Sequence, residues 1–347
     1  MYKRFLELVL GFAAFAVAAA GAFAAGDGEA GGDGLLVVAS IKPVHSLVSA
    51  VMAGVAEPHL IIRGAQSPHT FSMRPSDAAA LSKARVIFLI DEHKEVALAG
   101  PIGNLGDDAL VVRLAGSQGL HLLALREGGA FEEHDHGEHD DAEAGHEDDV
   151  DGHDQRGDDS HGHGHEHGTH PEHGDVDFHV WLDPENAVLM TYEIIEALSL
   201  ADPDNAATYE SNGYALIDRL DELIAELDAE LAPIRDKPFI VLHDAYRYFE
   251  QRFDLNAAGS ITVNPERAPG AQRIAEIRDK VRELGGVCVF AEPQFDSRVI
   301  DVVTEGTAAD AGTVDPLGAE IDDGPELYFT LLRNLAASFK ECMSGIG

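Results

Sequence analysis

Basic residues are scarce in this chain: 24 Lys and Arg stand against 62 Asp and Glu, for a formal net charge of −38. That balance argues against nucleic acid and anionic membrane surfaces as partners and for attraction of cations. No apolar run after the N-terminus is long enough to cross a membrane. There is no Gly-x-x-x-x-Gly-Lys-Ser/Thr loop, so ATP is not hydrolysed by that route. No His-Glu-x-x-His occurs either, and His165-Glu166-His167-Gly168-Thr169 has Thr where the second histidine would stand. This weighs against a metallohydrolase, which would also keep an open water position on its zinc. The chain reads as a binding protein, not an enzyme.

Only two cysteines occur, Cys288 and Cys342. Their meaning depends on the compartment, which the N-terminus addresses. Lys3 and Arg4 form a basic start, Phe5 to Ala20 is mostly apolar apart from Glu7, and Ala22-Phe23-Ala24 is an A-x-A cleavage signal. Residues 1–25 therefore read as a cleaved secretory signal, 26–34 as a flexible leader, and the mature protein as periplasmic. No lipobox cysteine lies near the cleavage site. In an exported protein the cysteine pair reads as a disulfide. Closing a loop of about 55 residues contributes roughly 4 kcal/mol in the chain-entropy model.

What the chain has in excess lies between Glu132 and Asp177. Eleven of its 18 histidines fall there: His134, His136, His139, His146, His153, His161, His163, His165, His167, His170 and His173. The same stretch holds eighteen acidic residues against Arg156, or −17 of the total charge, and lacks Tyr, Trp, Leu, Ile and Met. Such a segment cannot bury enough apolar surface to offset its ordering entropy, so residues 132–177 are expected to be a disordered loop. Imidazoles interleaved with carboxylates suit Zn²⁺ and similar divalent cations, which makes these histidines an accessory, low-affinity metal set.

Elsewhere the pattern alternates between strand and helix. Continuous apolar runs at 35–41 and 86–90 read as buried strands, the first covered on both faces, and 59–62 and 110–114 read as strands beside them. Pro43 opens a helix, Ser76 or Asp77 caps another, and a third falls around 92–99. Asp183 and Pro184 start a helix to about Leu198. From Pro203 to Ala232, leucines at three- and four-residue spacing predict one helix spanning roughly 45 Å. A second series follows, with strands at 239–243, 257–262 and 287–291, helices at 245–253, 274–284 and 295–306, a stretch 309–314 into Asp315, and a closing helix 326–343. The fold class is α/β. An N-terminal lobe (35–202), a linking helix (203–232) and a C-terminal lobe (233–347) place a ligand cleft beyond the carboxyl ends of parallel strands.

Four residues from separate places sit where strands or their loops end: His69, His179, His243 and Asp315. Three imidazoles and a carboxylate could make a four-coordinate Zn²⁺ site. Taken singly, a lone histidine is more often structural than a ligand. His45, His59, His93 and His121 read as structural or loop histidines. Trp181 and Tyr246 read as packing beside proposed ligands. Glu292 and Asp244 could orient ligand imidazoles or simply cap helices.

The motifs around these residues carry a resemblance. RPSDAAAL follows His69, HVWLDP surrounds His179, HDAYRYFE begins at His243, and VNPERAPGAQRIAEIR, CVFAEPQF and GTVDPLG follow. Together, from Val37 to Cys342, they resemble the ZnuA-type zinc-binding proteins of ABC uptake systems, within the metal-specific cluster of periplasmic solute-binding proteins. The resemblance implies two α/β lobes joined by a rigid helix. It also implies a metal ion held by His69 and His179 from the first lobe and His243 and Asp315 from the second. It further implies a Cys288–Cys342 disulfide and, as partners, an ABC permease with a separate ATPase subunit. Manganese-selective relatives carry Glu at the position of His243, so histidine points to zinc as transported ligand.

One departure bears on the site. In some zinc-binding relatives a Glu precedes the first ligand histidine, where this chain has Pro68. The fourth ligand is then Asp315 or a water, with Asp315 favoured. The expected function is periplasmic zinc capture for an ABC importer, by a monomer; the alternative is a zinc buffer or chaperone without a transporter. The His/acid loop would gather zinc at the cleft or sense its abundance.

Overall fold

The stretches read as strands, together with the 309–314 stretch, form two parallel sheets, each of four strands. A computed structural model describes residues 35–68, 71–92, 95–106, 108–126, 128, 130–131, 176–262, 265 and 267–345. In the first lobe, β1 (Val37–Ala39) leads to α1 (Lys42–Val51), β2 (His59–Leu60), α2 (Pro75–Leu81), β3 (Val86–Leu89), α3 (Val96–Leu105) and β4 (Leu110–Arg113). Strand order is β2-β1-β3-β4, all parallel, with Val38 opposite His59 and Ile87. Every residue of β1 and β3 is buried, as doubly covered strands must be.

Two short strands come next, β5 (Leu123–Ala124) and β6 (Val176–Asp177), paired antiparallel. Neither follows from the apolar pattern, because two residues are too few to show a period. Val176 and Asp177, assigned to the loop on composition, are instead buried in this ladder. Residues 132–175, with the eleven accessory histidines, lie outside the described residues, as does the N-terminal signal.

α4 (Pro184–Ala201) starts as expected, with Asp183 accepting from the Glu185 backbone N–H. The long helical stretch is α5 (Ala206–Leu231), flanked by single 3₁₀ turns at Pro203–Asn205 and Ala232–Ile234. Proline at each boundary removes an amide donor and tightens the turn there. One face of α5, including Leu216, Leu220, Leu223, Leu227 and Leu231, is buried. Through it α5 packs on α1 and α4 of the first lobe. Gly213 lets α4 approach: a Cβ there would lie 2.3 Å from Ile195 Cδ1.

The second lobe runs β7 (Pro238–His243), α6 (Arg247–Phe253), β8 (Asn256–Thr262), α7 (Ala271–Leu284), β9 (Cys288–Ala291), α8 (Arg298–Thr304), β10 (Asp310–Thr313) and α9 (Leu327–Gly345). Its parallel order is β10-β9-β7-β8. α9 and α6 of this lobe also pack on α5. The pleat of β7 splits its side chains between two cores. Phe239 and Val241 join the large core shared with the first lobe and α9, while Ile240 and Leu242 face α7 and α8. His243 has the parity of Phe239 and Val241, which turns it toward the first lobe. Cys288 and Cys342 are disulfide-bonded, tying α9 to β9.

Helix ends differ from the expected ones for local reasons. α2 begins at Pro75, and Asp77 reaches back to the Arg74 backbone N–H from its third position instead of capping. α3 begins only at Val96, because the buried Glu95 carboxylate accepts the backbone N–H groups of Ile90 and Asp91. α8 is confined to Arg298–Thr304. Among the described residues no helix is long and apolar enough to cross a membrane.

Candidate metal-binding site

His243 is the last residue of β7 and is 6% exposed. Burial alone would push its imidazole down. The nearby Glu292 carboxylate, and then Asp244 and Asp177, outweigh that and hold it above the ordinary histidine range. Glu292 follows β9, and its Oε2 lies 3.8 Å from His243 Nδ1. Both groups therefore stand at carboxyl ends of adjacent parallel strands, where α/β sheets place ligands.

His179 comes from the other lobe. It follows β6 by two residues, and its Nδ1 and Asp177 Oδ1 are 2.7 Å apart. The same oxygen accepts the His179 backbone N–H at 3.0 Å. With Nδ1 engaged, Nε2 is the nitrogen left for a ligand. The rings of His179 and His243 meet edge to face with centroids 5.0 Å apart. Both line one small cavity with Ser67, Pro68, Trp181, Glu292, Gln294, Phe295, Pro316 and Leu317. It offers about 20 Å³ to a water-sized sphere, room for one water or ion. Ser67, Gln294 and Phe295 also line a larger opening of about 670 Å³ that forms the cleft mouth.

Asp315 lies beside this cavity but is turned onto its own loop. Its Oδ1 accepts from Gln294 Nε2 at 2.7 Å and from the backbone N–H groups of Leu317 and Gly318, each at 3.0 Å. Oδ2 accepts from Ala319 N at 2.5 Å. A carboxylate has about four acceptor positions, so Oδ2 is the oxygen with capacity for a metal. His69 lies outside the described residues. Among the described residues no group of three or more His, Cys, Asp or Glu is placed to hold a metal ion. The structure thus brings His179 and His243 together and sets Asp315 at the rim.

Trp181 and several residues the sequence did not flag hold the two lobes in this arrangement. Trp181 Nε1 donates to Pro316 O at 2.8 Å, and Tyr328 Oη donates to Trp181 O at 2.6 Å. Lys42 reaches from α1 to Ile321 O at 2.6 Å and to Asp323 at 3.2 Å, fixing the loop that follows Asp315. Tyr248 Oη donates to Asp177 O and accepts from Leu123 N, clasping β5 and β6 from the second lobe. Arg126 pairs with Asp244 and Glu250 and lies 4.0 Å from the centre of the Phe131 ring. Burial pushes Glu250 up to about 7 despite Arg126. Asp244 is therefore an ion-pair partner of Arg126. Isolated arginines, lysines and tyrosines carry no spacing signal, so nothing in the chain marked them.

Two of the other histidines, His45 and His59, are structural. His45 Nε2 bonds the Pro58 carbonyl at 3.0 Å, and burial pushes its imidazole down. His59 pairs with Asp77 at 3.0 Å, and His121 is exposed. His93 lies outside the described residues.

A family model described as ZnuA, zinc-uptake complex component A, periplasmic, matches residues 37–342. The chain is 49% identical over 324 residues to the high-affinity zinc uptake system protein ZnuA of Brucella suis biovar 1 (strain 1330), covering 89% of this chain and 91% of that one. It is 32% identical over 307 residues to the protein of the same description from Yersinia pestis, covering 88% and 91%. A solved structure of a zinc-bound ZnuA deletion mutant aligns with a TM-score of 0.67 at 21% identity, over 89% of this chain and 98% of that one. At that identity the likeness carries the fold alone.

Proposed function

This chain belongs to the ZnuA family of periplasmic zinc-uptake components, and from that premise we propose that it captures Zn²⁺ between its lobes and hands it to an ABC permease powered by a separate ATPase chain. The supporting observation is the pairing of His179 and His243: two imidazoles from different lobes, rings 5.0 Å apart, at one ion-sized cavity. Zinc takes nitrogen ligands in tetrahedral sites, and two histidines with a carboxylate at the rim suit it. His69 and Asp315 complete the proposed set. Capture needs neutral imidazoles, so affinity falls as pH drops through their titration. Residues 1–25 are proposed as a cleaved export signal, and the mature chain as a periplasmic monomer.

The eleven histidines of 132–175 are proposed as an accessory store of weaker sites. Zinc titration with metal analysis on the mature protein and on a 132–175 deletion tests both levels. One tight site is expected to survive the deletion while the weaker sites vanish. Loss of the tight site with the segment would overturn this reading.

A further inference from the structure

Each lobe places a buried carboxylate behind one of the two facing imidazoles, and neither carboxylate belongs to the proposed ligand set. In the first lobe it is Asp177, 2% exposed, whose Oδ1 lies 2.7 Å from His179 Nδ1. Asp177 is itself held in place: β6 pairs it with Leu123, and its carbonyl accepts from Tyr248 Oη at 2.6 Å. In the second lobe it is Glu292, also 2% exposed, which lines the cavity and stands 3.8 Å from His243 Nδ1. Neither carboxylate oxygen of Glu292 has a hydrogen-bond partner among the described residues.

A buried carboxylate without a donor is a costly arrangement, retained where a charge or proton arrives to meet it. An ion at the Nε2 side of His243 supplies that: a metallated imidazole keeps its proton on Nδ1 and donates it more strongly. Three neutral imidazoles and Asp315 leave Zn²⁺ with a net positive charge, which two further carboxylates one imidazole away offset without occupying coordination positions. The matching placement in both lobes also answers the Pro68 departure. Where a first-lobe carboxylate ligand is missing, negative charge is still delivered to the ion from behind the rings.

We propose that Asp177 and Glu292 are positioning residues, one per lobe, each receiving the Nδ1–H of its imidazole so that Nε2 of His179 and of His243 faces the zinc ion. The inference rests on the zinc-capture reading. In this arrangement the residue that orients His179 is also the anchor at the end of the His/acid segment. The register of β6 against β5 therefore sets the aim of a ligand.

The test uses the mature full-length protein, with Zn²⁺ affinity measured by chelator competition alongside Asp177→Asn and Glu292→Gln. Both substitutions keep size and an acceptor oxygen but remove the charge. Each is expected to weaken zinc binding about 10- to 100-fold while thermal unfolding of the zinc-free protein stays close to the parent. ¹⁵N spectra of the zinc-loaded parent, which need no variant, should show Nδ1 protonated and Nε2 metal-bound for both histidines. Metal on Nδ1 of either ring, or affinities within threefold of the parent in both variants, would overturn the inference and leave zinc capture standing. A change in coordination number of the Co²⁺-loaded protein in Glu292→Gln would overturn it too, by making Glu292 a ligand. Failure of the parent to bind zinc at all would remove the functional reading, and this inference with it.

Discussion

Trp181 and Pro316 are joined across the lobes by a hydrogen bond of 2.8 Å from the indole Nε1 to the carbonyl oxygen. Trp181 lies two residues beyond His179 and Pro316 one beyond Asp315, so a single bond sets the spacing between two proposed ligands of different lobes. Trp181→Phe keeps the ring packing and leaves that buried carbonyl without its donor. The expected cost is about 1–3 kcal/mol in unfolding free energy, read by denaturant titration, with weaker zinc binding in the same protein.

Asp315 has a structural duty as well as its proposed role as ligand, and two substitutions separate them. Asp315→Ala releases the donors of Leu317, Gly318, Ala319 and Gln294. It should lower stability by about 2 kcal/mol and weaken zinc binding at least about tenfold. Asp315→Asn keeps an acceptor for the turn and should retain most of the stability while still losing affinity. Zinc binding as tight as the parent in Asp315→Ala would remove Asp315 from the ligand set.

Glu95 gives the first lobe a pH dependence of its own. Burial, opposed by the hydrogen bonds it accepts, pushes its carboxyl from an ordinary 4.5 up to about 7. The folded state therefore holds a proton between those values that the unfolded state has released. Its contribution to stability is complete below 4.5 and is lost as pH rises through about 7. Relative to Glu95→Gln, whose amide does not titrate, the parent should lose about 3 kcal/mol between about pH 4.5 and pH 8. Denaturant unfolding of both proteins across that range checks the sign; a constant difference would refute it.

The Cys288–Cys342 bond links β9 to the closing helix. Replacing both cysteines by alanine should lower stability by about 4 kcal/mol in the chain-entropy model. Zinc stoichiometry should be unchanged, because neither sulfur lines the cavity. Calorimetry and metal analysis on the one variant give both answers.

Gly213 is a packing requirement, not a flexible point. Its missing Cβ is the space into which Ile195 fits. Gly213→Ala should destabilise by about 1–3 kcal/mol from overpacking, despite alanine's better helix propensity. Gly213→Ala with Ile195→Val should recover part of the loss in thermal unfolding.

What the sequence determined by itself is whatever is periodic or compositional. Apolar runs placed the central strands β1, β3, β7 and β9, leucine spacing placed α5, and Asp183-Pro184 placed the start of α4, because short-range sterics and burial decide these. The motifs around His179 and His243 named the candidate ligands before any contact was known. Tertiary structure alone decided how those ligands are held. The β5–β6 ladder is two residues long, and its partners Leu123 and Asp177 lie 54 positions apart in the chain. Lys42, Arg126, Tyr248 and Trp181 act through bonds to the opposite lobe, and such long-range pairing leaves no local pattern. Of the carboxylates behind the two imidazoles, Glu292 was already a candidate for orienting a ligand, while Asp177 belongs to the same long-range class. Asp177 sat within a run of acids that composition assigned to a solvated loop. Only its place at the end of a short strand, two residues before His179, distinguishes it from the seventeen others.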